Sequence, residues 1–235
     1  MESQSNVYNI FSSIARRYDK LNTVLSFNVD KIWRKKTIKI CNLNKNDKVL
    51  DLCCGTGQMI NYICKEVGKD TEVIGLDFNK EMINVGYERL ANTLNGYKYK
   101  LIQGDVLQLP FEDNSFNCVT IAFGLRNAPD KTKALQEMYR VIKPGGKVVC
   151  LELSNPELPV FKEFYALYLN HILPYIGLLG TGDKAAYCYL RDSVKAFLSK
   201  KQLKDTFERI NFKDAGYVSL TCGTASIHYG VKPLK

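Results

Sequence analysis

The sequence predicts an open α/β fold: a doubly wound sheet, parallel through its first five strands and ending in an antiparallel pair, with helices on both faces. Three observations predict it. Short apolar runs alternate with helix-periodic stretches between Val49 and Leu153, the pattern of successive right-handed βαβ units. Asp47 to Gln58, D-K-V-L-D-L-C-C-G-T-G-Q, reads as strand, glycine turn and helix, in which unpaired N–H groups at a helix start face a nucleotide-like ligand. Tyr217 to Cys222 and Ser226 to Val231 read as strands joined by Gly223-Thr224-Ala225, a link so short that the pair must be an antiparallel hairpin.

At 235 residues and 46% hydrophobic content, the chain suits one well-buried domain, 1–235, carrying an N-terminal helical cap, 1–45, and a helical insertion, 154–209. Val7, Ile10, Phe11 and Ile14 share one helix face over residues 6–17, with Asn6 as the expected cap. Tyr18 to Asn22 reads as a loop, and Asp30 to Ile40 as a basic helix carrying the only tryptophan, Trp33. After the first strand, Gln58 to Val67 reads as a helix, Thr71 to Leu76 as the second strand and Tyr99 to Gly104 as the third. Phe116 to Phe123 is the fourth; the helix Lys131 to Ile142 is stopped by the turn Lys143-Pro144-Gly145-Gly146, and Lys147 to Leu153 is the fifth strand. The insertion is rich in aromatic and apolar residues, and its most apolar part is interrupted by Asn170, His171 and Pro174. It is too short to span a bilayer, which needs about 20 apolar residues. It reads as a lid over an apolar substrate or as a helix packed on the core.

The glycine turn narrows the ligand by what it lacks. No Lys-Ser/Thr pair follows Gly55 at P-loop spacing, and Ile60 stands where a dinucleotide fingerprint needs its third glycine. Asp51, just upstream of Gly55, Thr56 and Gly57, suits a cation rather than a pyrophosphate. Asp77, ending the second strand, suits two ribose hydroxyls, with a helix cap as the plainer alternative. Asp105 suits an exocyclic amine, and Met82 is either an apolar ligand contact or ordinary core. Arg126, at the carboxyl end of the fourth strand, faces the crevice or pairs with Asp130. The pattern D-x-x-x-G-x-G looks like motif I of the class I S-adenosylmethionine methyltransferases. That resemblance implies a Rossmann-like seven-stranded sheet with one antiparallel strand.

Lys and Arg number 33 against 24 Asp and Glu, a net charge of +9, which fits a solvated basic surface, a nucleic acid or an anionic membrane. The eight cysteines include no C-x-x-C pair and no zinc spacing, so a reducing cytoplasmic compartment and no metal site are expected. Cys53 and Cys54 read as small residues lining the turn.

Along nearly its whole length the chain resembles the ubiquinone/menaquinone C-methyltransferase family, the demethylmenaquinone and polyprenyl-benzoquinol methylases. The shared stretches are I-A-x-x-Y-D-x-L-N from Ile14, V-L-D-L-C-C-G-T-G from Val49, G-L-D-F-N from Gly75, G-D-V from Gly104, F-G-L-R-N from Phe123, L-E-L-S-x-P from Leu151 and G-T-A-S-I-H-Y-G-V-K from Gly223. The chain departs from the family at Phe197-Leu198-Ser199-Lys200-Lys201, where an F-P-x-x-E segment is usual. The resemblance implies that Asp51, the 55–57 turn with Thr56, Asp77, Phe78, Asp105, Val106 and the backbone of Ala122 hold S-adenosyl-L-methionine.

It also implies methyl transfer to a ring carbon of a polyprenyl quinol. The acceptor is demethylmenaquinol or, alternatively, 2-polyprenyl-6-methoxy-benzoquinol or another small lipophilic molecule. A phenol has a pKa of about 10, so its ionisation needs help. Arg126 is the candidate for stabilising the phenolate, Asn127 and Tyr18 for positioning ring oxygens, and His171 is a second candidate base. A lipid-borne acceptor implies peripheral contact with the inner face of the membrane, and a homodimer is allowed. A nucleic-acid methyltransferase fits less well, because no [DN]-P-P-[YF] or P-C motif follows the fourth strand. A noncatalytic subunit of a quinone-synthesis assembly is disfavoured by the intact Asp51, Thr56, Asp77 and Arg126.

Overall fold

A computed structural model describes residues 2–157, 159–168, 170 and 184–234. Seven strands form one sheet in the order β3-β2-β1-β4-β5-β7-β6. The strands are β1 (Val49–Leu52), β2 (Val73–Asp77), β3 (Tyr99–Gln103), β4 (Phe116–Ala122), β5 (Ile142–Leu153), β6 (Lys213–Leu220) and β7 (Ala225–Val231). β1 to β5 pair in parallel, and β7 lies antiparallel between β5 and β6. That is the predicted class, including the position of the reversed strand.

Strand alternation sorts the core into two layers. Leu50, Leu52, Val119, Ile121, Val148 and Cys150 turn to one face, where they meet α6 (Lys131–Val141) and α9 (Lys200–Arg209). Val49, Cys118, Val149 and Leu151 turn to the other, against α3 (Asp30–Cys41), α4 (Gln58–Val67) and α5 (Lys80–Thr93). Both faces are covered, so the central strands are apolar throughout, as parallel strands must be. All eight cysteines are free.

Three local expectations are corrected. The first helix, α1 (Glu2–Ile14), begins upstream of Asn6, which is therefore no cap. The stretch expected as a loop is a helix, α2 (Tyr18–Leu25). Its Asn and Thr are weak helix formers, and the helix is held by tertiary packing of the buried Leu21 against Tyr187 and Val194. The Lys143-Pro144-Gly145-Gly146 turn lies inside β5: Phe116 pairs with Ile142 and Cys118 with Lys147, so these four residues bulge out, with Gly145 at φ 77°.

Of the insertion, α7 (Pro159–Leu167) and α8 (Lys184–Ala196) are described. Residues 158, 169 and 171–183, with the candidate base His171, lie outside the described residues. The 197–201 segment is no part of a lid. Phe197 is buried in the core, and Ser199 caps α9 in a reciprocal capping box with Gln202, which seats that helix on β6 and β7. Removing this cap with Ser199→Ala is expected to lower stability by about 1 kcal/mol. The measurement is urea unfolding, with a lower midpoint and an unchanged slope.

Candidate active site

Because β1 to β4 run parallel, the turns that follow them open on the same edge of the sheet, and a crevice of about 130 Å³ lies there. The turn after β1 is built for close approach. Cys53, Gly55 and Gly57 all have positive φ, and a Cβ on Gly57 would fall 2.7 Å from the Leu90 side chain. A Cβ on Gly124, after β4, would collide with Cys53, so the two turns pack backbone against side chain.

The carboxylates expected at the strand ends meet in this crevice. Asp51 is 1% exposed and accepts a 2.6 Å hydrogen bond from the Thr120 hydroxyl. Burial pushes its carboxyl up to about 7, against the pull of the Thr120 bond and of Arg34. Asp77 accepts from the backbone N–H of Gly55 and of Asn79, both at 2.8 Å, which locks the first two turns together. Its pKa is raised by burial, which those two bonds oppose. Asp105 accepts from the N–H of Leu107 at 2.8 Å. Thr56, Phe78, Val106, Ala122 and Met82 complete the walls, with Phe78 half-exposed and edge-on to Tyr8. Cys53 and Cys54 are pushed well above the ordinary thiol range by burial and by Asp77 and Asp51, so neither is a nucleophile.

A second cavity, of about 300 Å³, adjoins the first through Tyr18 and Phe123, which line both. Its walls are apolar and aromatic, including Leu25, Trp33, Tyr165 and Tyr168, and Arg126 enters it as a buried guanidinium. Arg126 does not pair with Asp130, which caps α6 by accepting from the N–H of Lys133. Its Nη1 donates to Glu152 Oε1 at 2.8 Å and to the carbonyl of Phe123. Burial lowers the Arg126 pKa, but Glu152 together with Tyr18 and Tyr189 offsets this and the net direction is upward. Burial likewise raises the Tyr18 hydroxyl, with Arg126 opposing it. Asn127 lies in the crevice and not in the second cavity, and its side-chain oxygen accepts from Tyr189. It stands away from where a ring oxygen in the second cavity would lie.

The residues that hold these groups in place carry no role that the sequence predicts. Asp19 accepts a 2.6 Å bond from the Thr56 hydroxyl and sits 3.5 Å from Arg89, whose Nε donates to the Thr56 carbonyl. This strap fixes α2 on the glycine turn and places Tyr18 between the cavities. Arg34 is buried beside Asp30 and lies 5.1 Å from the Phe123 ring centroid. Glu152 gives no local sign in L-E-L-S of its contact with Arg126.

Three carboxylates, the backbone of the glycine turn and Met82, against one cation, the Asp30-paired Arg34, make a donor set for a nucleoside carrying positive charge. S-adenosylmethionine fits that set. If Asp51 is a partner of its cationic end, affinity is expected to weaken as pH falls through about 7, where Asp51 takes up a proton. Titration calorimetry across this range checks the slope. Asp51→Asn should weaken binding at least ~tenfold and flatten the pH dependence.

The model of the ubiE/COQ5 methyltransferase family matches residues 1–232. A demethylmenaquinone methyltransferase of Staphylococcus aureus (strain JH9) is 46% identical over 230 residues, covering 98% of this chain and 94% of its own. Among solved structures, a SAM-dependent methyltransferase from Aquifex aeolicus superposes with a TM-score of 0.62 at 20% identity, over 85% of this chain and 89% of its own. The Haemonchus contortus phosphoethanolamine N-methyltransferase 2, solved with S-adenosyl-L-methionine, gives 0.61 at 15% identity, over 86% of this chain and 52% of its own. At such identities these two establish the fold alone, which is that of the class I methyltransferases. The family model and the near full-length relative carry the assignment further: the chain is an S-adenosylmethionine-dependent methyltransferase and belongs to the ubiE/COQ5 methyltransferase family.

Proposed function

We propose that this enzyme methylates a ring carbon of demethylmenaquinol. The observation that carries the reading is the junction of two cavities at Tyr18 and Phe123, one lined by three carboxylates and the other mostly apolar and aromatic, with the Arg126 guanidinium and the Arg34-paired Asp30 at its wall. The 46% identical relative, a demethylmenaquinone methyltransferase, selects the naphthoquinol among lipophilic phenols. Asp51, Asp77 and Asp105 would hold the cofactor, which supplies an electrophilic methyl group when bound.

The chain's own part in the chemistry is to bind, align and ionise the acceptor. Leu25, Trp33, Tyr165 and Tyr168 give the ring and the start of its tail an apolar surface, and exclude water from it. An aromatic carbon is a weak nucleophile until the neighbouring hydroxyl loses its proton, and that hydroxyl ordinarily titrates near a pKa of about 10. Arg126 cannot serve as a base at neutral pH, and its charge, set in an apolar wall, favours the phenolate. The proton passes to water. Tyr18, on the shared wall, orients the ring toward the crevice.

The rim of the second cavity suits a lipid surface. Phe27 lines the cavity yet is 76% exposed, Val24 is exposed beside it, and Lys20, Lys31 and Lys35 are exposed on the same cap. Among the described residues no helix is long and apolar enough to cross a membrane, so the contact proposed is peripheral, through inserted side chains and basic charge.

Two measurements test these assignments. Arg126→Ala is expected to lower the rate of radiolabelled methyl transfer to a demethylmenaquinol by ~100-fold, with affinity for S-adenosylmethionine nearly unchanged. Collapse of cofactor binding, or better turnover with a benzoquinol, would count against the reading. Cosedimentation with anionic vesicles should weaken as salt is raised and weaken further in Phe27→Asp; binding indifferent to both would remove the membrane contact.

A further inference from the structure

Glu152 lies next to the last residue of β5, and its side chain is fully buried. Its Oε1 takes the bond from Arg126 Nη1, while Glu152 Oε2 and Arg126 Nε have no hydrogen-bond partner among the described residues. Stability does not account for the pair, since a buried ion pair seldom does better than apolar side chains of the same volume. Nor does the sheet require it, because the β4–β5 ladder pairs Ala122 with Leu151 through the backbone. What the pair does is place a guanidinium in the wall of an apolar cavity and set a negative charge directly behind it.

We propose that Glu152 is a positioning residue for methyl transfer: its carboxylate fixes the Arg126 guanidinium in the wall of the acceptor cavity and offsets part of its charge, so that Arg126 stabilises a phenolate without retaining it. This rests on the role given to Arg126 above. A bare guanidinium in an apolar site would hold a phenolate product as firmly as the ionised acceptor, and binding that is uniform along the reaction does not speed turnover. A carboxylate 2.8 Å away weakens that grip while leaving the guanidinium's direction fixed.

The other ionisable groups turned toward the pair are Tyr18 from α2, Tyr165 from α7, Tyr189 from α8, Cys53, Cys150 and Lys131. Burial raises the three tyrosines and both cysteines, so all five are neutral near pH 7. Lys131, on α6, adds one positive charge. The balance at Arg126 therefore turns on Glu152, whose carboxyl burial pushes up to about 7 against the pull of Arg126.

The test reads the ionisation of a bound nitro-substituted 1-naphthol, whose phenolate absorbs visible light, on the full-length enzyme. Glu152→Gln keeps an oxygen for Arg126 but removes the charge, and should lower the pH at which the bound probe ionises by about one unit, a tenfold change. Its first turnover should stay fast while steady-state turnover falls, because the product leaves slowly. Glu152→Asp retracts the carboxylate by one methylene and should shift the probe in the same direction by less, which keeps the test available where the Gln variant does not fold. If every folded Glu152 variant leaves the probe's ionisation at the wild-type pH, the inference is overturned. Arg126→Ala separates the two readings: it should raise the pH at which the bound probe ionises, and if it does not, the role given to Arg126 fails whatever Glu152 does.

Discussion

Everything in this active site depends on the parallel pairing of β1 with β2 and β4. Parallel strands end at one common edge, and there the backbone groups of the following turns have no ladder to complete. Gly55, Asn79 and Leu107 satisfy theirs on the carboxylates of Asp77 and Asp105. Acidic side chains are thus held at the ends of neighbouring strands by the needs of the backbone itself, and their remaining lone pairs face the crevice. The ligand side of the fold follows from how the sheet ends.

The second cavity is of a different kind. It takes only the end of β5 from the sheet and is otherwise assembled from α2, α3, α7, α8 and the turns after β4 and β6, elements distant in sequence. Two buried charges reach its wall: the Asp30 carboxylate, paired with Arg34, and the Arg126 guanidinium, held by the Phe123 carbonyl and the Glu152 carboxylate. The contrast between a crevice that needs charge and a cavity that nearly excludes it matches a reaction between a cationic donor and a lipophilic acceptor.

This division also explains how much could be read from the sequence. The glycine turn, Asp51, Asp77 and Asp105 are legible because a short apolar run, a glycine pair and an acid at a run's end are local signals. The reversed strand is legible because the link before it is too short for a crossover: three residues by the sequence pattern, four in the structure, Thr221 to Thr224. Glu152, Arg34 and Asp19 stand in stretches shared with the family, yet nothing local in those stretches says what each side chain touches. Only the register of β5 beside β4 brings Glu152 to Arg126, and only the inward turn of α3 separates Arg34 from its exposed basic neighbours. Helix α2 was misread as a loop for the same reason: its stability comes from Tyr187 and Val194, more than 160 positions away. The proline-glycine stop after α6 carries the right residues for a turn, but the β4–β5 ladder starts ahead of it at Ile142 and resumes at Lys147, so it lies inside β5 as a bulge.

The Asp19–Thr56–Arg89 strap bears on where the catalytic unit begins. A minimal Rossmann-like boundary drawn just ahead of β1 would look reasonable by strand count, yet it would discard Asp19, Tyr18 and Trp33 together. The Thr56 hydroxyl would lose its acceptor, Arg89 its carboxylate partner, and both cavities the wall they share. The first 41 residues are therefore not an appendage to a self-sufficient sheet: truncation there divides the enzyme through the middle of its active site.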